Sequence, residues 1–393
     1  MSDLHRSFIK KIKQQESAFG LSSLSENVPT NINDDKTSIS NLIKESSSNP
    51  RSKVTNRQLP NQQQDNEIIQ AYNQFKESFF TEMEEYTDTT RSISFQTYYR
   101  APTSKQDTVL FCLHGAGSSS MTFATFAQQI IEMTNSIGIF LFDIRGHGDS
   151  SPTTEYDILD FVQDVHFILS TFTTKPYYTN NSPIYLLGHS LGGAILSKYT
   201  SLHPDPQFNL QGLIMLDIVE ETAVKSLSIM PQFIARRPPQ FPTIERAIEW
   251  HMKSLLHNPE SAKLSVPHLL NHHQGPLTWK TDLALTSPFW DSWFDGLADN
   301  FISFKGAKLL ILSAHETLDK KLIIGQMQGK YQLVVFGGNN SKNNNVSGHF
   351  VHEDLPKQTS VCVVEFINRT KGADGKKDAL GGIIPKWGGK IHK

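Results

Sequence analysis

The regular alternation of apolar runs with helix-like stretches is the feature that most constrains the fold. The apolar runs are nearly continuous, as expected of strands that are covered on both faces of a sheet. They occupy residues 92–100, 107–114, 136–143, 183–190, 210–217, 307–314 and 331–337. Helix-like stretches separate them at residues 121–133, 158–172, 191–202 and 356–368. This order predicts an α/β fold, a mostly parallel central sheet with helices on both faces.

One connection is far longer than a crossover helix requires. Residues 218–305 separate two of the predicted strands, so we expect a helical cap insertion over one edge of the sheet. The insertion is rich in aromatic residues, including Trp250, Trp279, Trp290 and Trp293. Large aromatic side chains in such a cap either pack it onto the sheet or form a surface for a protein partner.

Polar segments flank this region. Residues 1–65 are rich in Ser, Asn, Gln and Lys, a composition that predicts a disordered N-terminal segment. We place the α/β domain at residues 66–370 and a flexible tail rich in Lys and Gly at 371–393. The Asn-rich stretch at 337–348 predicts an extended surface loop.

Charge and cysteine content narrow the class of protein. The 37 Lys and Arg residues against 39 Asp and Glu residues give a net charge of −2, without the basic excess of a nucleic-acid binder. The sequence contains neither a secretion signal nor an apolar run long enough to span a membrane. Cys112 and Cys362 lie in apolar runs, which predicts buried, reduced thiols. We therefore expect a cytoplasmic or nuclear protein that binds neither nucleic acid nor membrane.

The segment Gly188–Gly192 matches the pattern G-x-S-x-G. A predicted strand enters it and a predicted helix leaves it, which is the context of a nucleophile elbow. Small residues flank Ser190 because the backbone there turns sharply, and the start of a helix places free N–H groups beside the serine. The alternative is an ordinary turn in which Ser190 only caps the helix.

A second glycine-rich turn, His114–Gly117, directly follows another predicted strand. At this position a backbone N–H can point at a developing oxyanion, together with the N–H of the residue that follows the nucleophile. The sequence thus predicts Ala116 and Leu191 as the two donors. The alternative is a simple turn.

The loop at 143–150 (DIRGHGDS) follows the next strand, and we expect its charged residues to brace the loops beside the site. His114, His147 and His189 do not have the spacing of metal ligands. We therefore predict no metal and no cofactor.

A serine esterase also needs a base and an orienting acid, in the chain order Ser, acid, His. His349 follows the last predicted strand and is the expected base, with His352 as its local competitor. The acid is either Asp217, at the end of one strand, or Glu316 or Asp319, after the next strand. The pattern alone leaves this choice open.

With these residues placed, the chain resembles the protein phosphatase methylesterase family of the α/β-hydrolase superfamily. The resemblance lies in the segments 186–195, 215–223, 236–250, 290–301, 318–332 and 348–354. In that family the acid follows the earlier strand, so the resemblance implies Asp217 as the acid and His349 as the base.

The resemblance also implies an activity. It is hydrolysis of the methyl ester on the C-terminal leucine of the protein phosphatase 2A catalytic subunit, with Ser190 as nucleophile and methanol as leaving product. We expect a monomer whose partner is that subunit. Two alternatives stay open: a small-molecule or lipid esterase of the same fold, and a non-catalytic protein that binds the phosphatase.

Overall fold

The computed structural model describes residues 60–105, 107–179, 182–203, 208–272, 275–314, 318–337 and 347–371. The predictions for the N-terminal segment up to residue 59, for the tail from residue 372 and for loop residues 338–346 lie outside this range. The acid candidate Glu316 lies outside it too.

The centre of the molecule is an eight-stranded sheet, and a small three-stranded sheet lies in the insertion. The strands in chain order are β1 (Glu82–Asp88), β2 (Ile93–Arg100), β3 (Thr108–Leu113), β4 (Ile137–Phe142), β5 (Ile184–His189), β6 (Leu210–Leu216), β7 (Gln240–Phe241), β8 (Leu270–Asn271), β9 (Leu277–Trp279), β10 (Ala307–Leu312) and β11 (Gln332–Val335). The large sheet has the order β1-β2-β4-β3-β5-β6-β10-β11. Its pairs are antiparallel at β1-β2 and β2-β4 and parallel elsewhere, which confirms the predicted mostly parallel sheet.

Burial on both faces explains why the central strands are continuously apolar. Every residue of β3, β4 and β5 is buried. Along β3, Val109 and Phe111 pack into one layer of the core, while Leu110 and Cys112 pack into the other. The sheet is thus covered on both sides. Cys112 is buried as predicted, whereas Cys362 is only partly buried.

Thirteen α-helices surround the sheets in the described part of the chain. They are α1 (Pro60–Phe79), α2 (Ala124–Met133), α3 (Ile158–Thr173), α4 (Leu191–Leu202), α5 (Glu220–Leu227), α6 (Met230–Arg236), α7 (Ile244–Ser254), α8 (Pro259–Ser265), α9 (Trp290–Trp293), α10 (Leu297–Ser303), α11 (Lys320–Met327), α12 (Val351–Asp354) and α13 (Pro356–Lys371). Short 3₁₀ turns occupy Ser120–Phe123, Val266–Leu269 and Leu283–Phe289. None of the described helices has the length and apolar character needed to cross a membrane.

Helix α1 crosses the predicted domain boundary at residue 66. Tyr72 and Phe75 on this helix are buried in the core. The carboxylate of Asp65 accepts hydrogen bonds from the backbone N–H groups of Ile244 and Glu245, at 2.9 and 3.3 Å. The helix therefore joins the folded domain to α7 in the insertion. Its few apolar side chains among many polar ones explain why composition did not reveal it.

The insertion between β6 and β10 contains α5 to α10 and the sheet β7-β9-β8, and we call it the cap. The cap has a small core of its own, built around Phe241, Val266 and Leu270. Trp290 and Trp293 are 8% and 3% exposed and belong to the main core of the domain. These two tryptophans therefore pack the cap onto the sheet and are not available as a partner surface.

Candidate active site

Ser190 stands at a strained turn between β5 and α4. Its backbone angles are φ 51° and ψ −123°, an unfavourable region for a residue with a side chain. Gly188 and Gly192 make the turn possible. A Cβ at Gly188 would lie 2.4 Å from the backbone of Gly192, and one at Gly192 would lie 2.2 Å from the carbonyl oxygen of Leu113. This is the geometry of a nucleophile elbow, as the sequence predicts.

The glycine-rich loop after β3 lies directly against this serine. A Cβ at Gly115 would lie 3.0 Å from the Cβ of Ser190. The N–H of Gly117 donates to Nε2 of His147 (2.9 Å), and the N–H of Ser118 donates to the carbonyl of Gly115 (3.2 Å). Within the described residues, the N–H of Ala116 has no such acceptor, and neither does the N–H of Leu191 at the start of α4. These are the two predicted oxyanion donors.

Two buried histidines hold the loop. His147 donates from Nδ1 to the carbonyl of Arg145 (2.9 Å), so its Nε2 is the acceptor for Gly117. His114 donates from Nδ1 to the carbonyl of Gly115 and accepts the N–H of Ile144 at Nε2. Burial lowers the pKa of His147 to about 3 and that of His114 to about 4, so both rings are neutral at neutral pH. Residues of the 143–150 loop therefore brace the site. His147 holds Gly117, and the charged Asp143 accepts the N–H groups of Ser120 and Asp149, as the sequence predicts for the charged residues of this loop.

Asp217 follows β6 and is almost completely buried, with 6% of its surface exposed. Its φ of 50° turns the chain so that the carboxylate faces the end of the neighbouring strand. One oxygen, Oδ1, accepts the backbone N–H of Ser313 at 2.7 Å. The other, Oδ2, accepts Nδ1–H of His349 at 2.9 Å. The carboxylate is therefore fixed from two sides and can orient one imidazole.

Hydrogen bonds of His349 and of the residue before it orient the His349 side chain. The bond to Asp217 fixes the proton on Nδ1, which makes Nε2 the nitrogen that can accept a proton. The carbonyl of His349 accepts Nε2–H of His189 at 2.8 Å. The preceding residue, Gly348, donates its N–H to Oδ2 of Asp354 at 2.7 Å. The acidic end of the motif G-H-F-V-H-E-D thus positions its first histidine.

The competing candidates have other contacts. The carboxylate of Asp319 accepts the N–H groups of Glu220 and Glu221 at 3.1 and 2.9 Å, so it caps helix α5. His352 is completely buried and stacks on the ring of Phe123 at a centroid distance of 4.4 Å. It does not line the pocket that holds His349.

Ser190, Asp217, His349, Ala116 and Leu191 all line one pocket between the sheet and the cap. Most of its other walls are apolar. They include Ile218, Val219, Met230, Phe233, Leu255, Leu269 and Phe294. Ionisable residues outside the triad also line it: Arg237 and His251 of the cap, and Glu353 of α12. Burial raises the pKa of the Glu353 carboxyl well above its usual range.

The sequence analysis did not assign a position in the site to three residues that shape it: His147, Asp354 and Arg237. For His147 the sequence held a signal. It lies between two glycines in the loop that follows β4, next to the strand that precedes the oxyanion loop, and this position favours a role in holding that loop. Asp354 is the last residue of the motif G-H-F-V-H-E-D, which begins at Gly348. The short spacing of six residues already indicates that the two can be in contact. Arg237 carries no local signal, since its position depends on how the cap folds.

Among the residues that the structure describes, one group of side chains has the composition of a metal site: Asp143, Asp149 and His268. Their ligand atoms already have partners in the protein. Asp143 accepts the N–H groups of Ser120 (2.7 Å) and Asp149 (2.9 Å), while Asp149 pairs with Lys280 at 2.5 Å. His268 bonds to Asp143 through Nε2 at 3.0 Å and to the hydroxyl of Tyr72 through Nδ1. This cluster therefore ties α1, the sheet and the cap together.

Comparison with solved structures agrees with this architecture. The fold matches E-2-(acetamidomethylene)succinate hydrolase at a TM-score of 0.57 and 18% identity, over 73% of this chain and 100% of that one. It matches an esterase of Mycobacterium tuberculosis at a TM-score of 0.54 and 18% identity, over 77% and 98% of the two chains. The sequence model of the family described as "Serine aminopeptidase, S33" matches residues 104–287. Fold and site together define an enzyme of the α/β-hydrolase class.

Sequence relatives narrow this class to one family. Protein phosphatase methylesterase 1 of Candida albicans is 49% identical over the whole of both chains, and that of Debaryomyces hansenii is 46% identical over the whole of both. The protein of the same name from Schizosaccharomyces pombe is 38% identical over 67% of this chain and 75% of its own. The chain belongs to the protein phosphatase methylesterase family and is a carboxylic-ester hydrolase, which confirms the resemblance found in the sequence.

Proposed function

We propose that this protein hydrolyses the methyl ester on the C-terminal leucine of the protein phosphatase 2A catalytic subunit and releases methanol. Membership of the methylesterase family supports this substrate. The single observation that carries the mechanism is the 2.9 Å bond between His349 and Asp217 in the pocket that also holds Ser190 at its strained elbow.

In the first half of the reaction, Ser190 attacks the carbonyl carbon of the ester. His349 takes the hydroxyl proton at Nε2, and Asp217 stabilises the resulting imidazolium. The negative charge on the former carbonyl oxygen is stabilised by the N–H groups of Ala116 and Leu191. The intermediate then collapses, the C–O bond to the methoxy group breaks, and methanol leaves with the proton from His349. The leucine is now an acyl ester of Ser190.

In the second half, water replaces methanol. His349 removes a proton from the water molecule as its oxygen attacks the acyl carbon, and the oxyanion donors act again. Collapse breaks the bond to Ser190, whose oxygen recovers the proton from His349. The peptide leaves with a free carboxylate, and the enzyme returns to its starting state.

Recognition must come from the peptide and the phosphatase surface, because the leaving group is only one methyl. The apolar walls around Ser190 suit a leucine side chain, which would bury its surface against residues such as Ile218 and Leu269. Apolar burial alone discriminates weakly between side chains of similar size. Polar groups in the pocket must therefore contribute to specificity.

The setting that we propose is a monomeric enzyme of the cytoplasm or nucleus that works without cofactor. Cys112 and Cys362 are both free thiols, which supports a reducing compartment. The phosphatase catalytic subunit is the proposed partner.

A demethylation assay tests the proposal. The substrates are a peptide that ends in leucine methyl ester and the methylated phosphatase, with methanol release as the readout and p-nitrophenyl acetate as a simple ester. Wild-type protein should hydrolyse the peptide and the phosphatase, while Ser190→Ala should fold, bind the phosphatase and hydrolyse neither. Turnover of the simple ester alone would favour a small-molecule esterase. Unchanged turnover in Ser190→Ala would refute the proposed nucleophile, and binding without any turnover would indicate a non-catalytic partner.

A further inference from the structure

Arg237 places a positive charge in the wall of the active-site pocket. It directly follows α6 and lines the pocket together with Ser190 and His349. Its guanidinium lies over the ring of Trp279, 3.8 Å from the centroid. The neighbouring Arg236 is exposed and does not line the pocket. Two adjacent arginines thus differ sharply in their surroundings.

The guanidinium of Arg237 has no counter-ion among the described residues. No carboxylate oxygen of that part of the chain lies within 4.0 Å of it, and it makes no hydrogen bond there. Burial lowers the pKa of Arg237 to about 10, and the more distant Asp282 opposes this shift only in part. A partly desolvated cation without an anion is costly, and a ligand anion would offset that cost.

The aromatic platform beneath Arg237 is rigid. The indole N–H of Trp279 donates to the carbonyl of Pro238 at 2.7 Å, which ties the ring to the segment that carries Arg237. The pairing of β7 with β9 fixes the same two segments from the backbone side. A guanidinium that lies on an aromatic ring keeps the N–H groups at its edge free for a planar acceptor. This pair of donors is therefore preorganised to bind a carboxylate.

Arg237 lines the same pocket as the two oxyanion donors, Ala116 and Leu191. Burial is the largest cause of the lowered pKa of His147, and the charge of Arg237 adds to it. His147 is the residue that holds Gly117 in the oxyanion loop. Because one pocket holds Arg237 and Ser190, a single peptide ligand can place its ester at Ser190 and an anion at Arg237.

We infer that Arg237 is a specificity-determining residue that binds a carboxylate of the peptide substrate. The inference rests on the proposed function, since it assumes a peptide in this pocket. Two carboxylates of such a ligand have the required chemistry. One is an acidic side chain a few residues before the methylated leucine, and the other is the C-terminal carboxylate that hydrolysis creates.

The first arm of the test compares two peptide methyl esters that differ only in one Asp or Asn within four residues of the leucine. The proteins are wild type, Arg237→Met, Arg237→Lys and the matched control Arg236→Met. Wild type and the control should favour the acidic peptide by at least about tenfold in kcat/KM, mainly through a lower KM. A factor of this size corresponds to the free energy of a hydrogen bond between charged groups. Arg237→Met should lose the preference and Arg237→Lys should retain part of it.

The second arm compares product binding. The affinity of the Asn peptide as free acid and as C-terminal amide is measured by fluorescence anisotropy, which does not depend on turnover. If the preference for the free acid falls about tenfold in Arg237→Met and the first arm shows no change, the C-terminal carboxylate is the ligand. If Arg237→Met loses the preference for the Asp peptide in the first arm, the acidic side chain is the ligand of Arg237.

A structural role for Arg237 would lower activity on the acidic and neutral peptides equally and would leave the preference for the free acid in the second arm unchanged. These two results together would overturn the inference. So would an Arg237→Met protein that matches Arg236→Met in both arms. Melting curves check folding, and Arg237→Lys keeps the stacked cation if Arg237→Met fails to fold. A wild-type protein that hydrolyses neither ester would refute the proposed function. The anisotropy measurements, made also with the acidic and neutral free peptides, would still show whether Arg237 binds a carboxylate.

Discussion

His147 accepts the backbone N–H of Gly117 at 2.9 Å, and this bond joins the loop after β4 to the oxyanion loop after β3. Gly117 has a φ of 70°, and a Cβ there would lie 2.9 Å from the side chain of Leu283 in the cap. The loop is therefore held between a buried histidine and the cap. A residue outside the Ser, His and Asp constellation thus fixes the position of the Ala116 donor.

The first prediction follows from this bond. His147→Ala should lower kcat by about 10- to 100-fold with a smaller change in KM, because a displaced oxyanion donor acts mainly in the transition state. Steady-state kinetics on the peptide methyl ester measure both constants. His166→Ala is the control, since His166 lies on α3 and stacks on His203, remote from the pocket. Equal kcat values for the two variants would contradict the role assigned to His147.

The second prediction separates the two acids. Asp217→Asn should lower kcat by about 10⁴-fold, the cost of the matching change in the serine proteases, because the imidazole loses its fixed tautomer. Asp319→Ala should instead lower the free energy of unfolding by about 0.5–2 kcal/mol through loss of the α5 cap. Kinetics and urea unfolding of both variants provide the measurements. The opposite pattern would move the orienting acid to the later strand.

Much of the fold could be predicted because burial on two faces leaves a clear trace in sequence. Strands β3 to β6, for example, contain runs of apolar residues that only a covered sheet tolerates. Strand β1 (EMEEYTD) has one buried residue, Tyr86, and reads as polar. Helix α1 was missed for the same reason. Edge elements depend on tertiary contacts with the core, and composition does not record these contacts.

The site was predictable where its chemistry is local. The elbow at Ser190 needs small neighbours, and these are adjacent in sequence. The choice between Asp217 and Asp319 is not local, since both follow strands whose ends meet at one edge of the sheet. The family resemblance pointed to Asp217, and the structure shows it bonded to His349 while Asp319 caps α5. The stacking of Arg237 on Trp279 depends on the fold of the cap and has no trace in sequence.

The third prediction concerns His352, the competing base. Burial lowers its pKa to about 3, so the unfolded chain binds more protons than the folded protein between about pH 3 and 6.5. The free energy of unfolding therefore falls as the pH falls through this window. His352→Phe removes this contribution, and its stacking on Phe123 can be retained.

Between pH 7 and pH 5 the His352→Phe protein should lose up to about 2 kcal/mol less stability than wild type. Urea unfolding at a series of pH values measures the difference. Its kcat on the peptide ester should stay within a few-fold of wild type, whereas His349→Phe should be inactive. A parallel loss of stability in variant and wild type, or an inactive His352→Phe, would show that His352 has been misassigned.

The last prediction concerns the start of the folded domain. The carboxylate of Asp65 accepts the N–H groups of Ile244 and Glu245 in the first turn of α7, where a negative charge also complements the helix dipole. Asp65→Ala should therefore lower the free energy of unfolding by about 0.5–2 kcal/mol. The neighbouring Asn66 is exposed, so Asn66→Ala is the matched control and should change stability by less than about 0.5 kcal/mol. Thermal and urea unfolding of the full chain compare the two. If Asp65→Ala is as stable as Asn66→Ala, the domain boundary belongs near residue 66 after all, and removal of residues 1–65 should then leave stability unchanged.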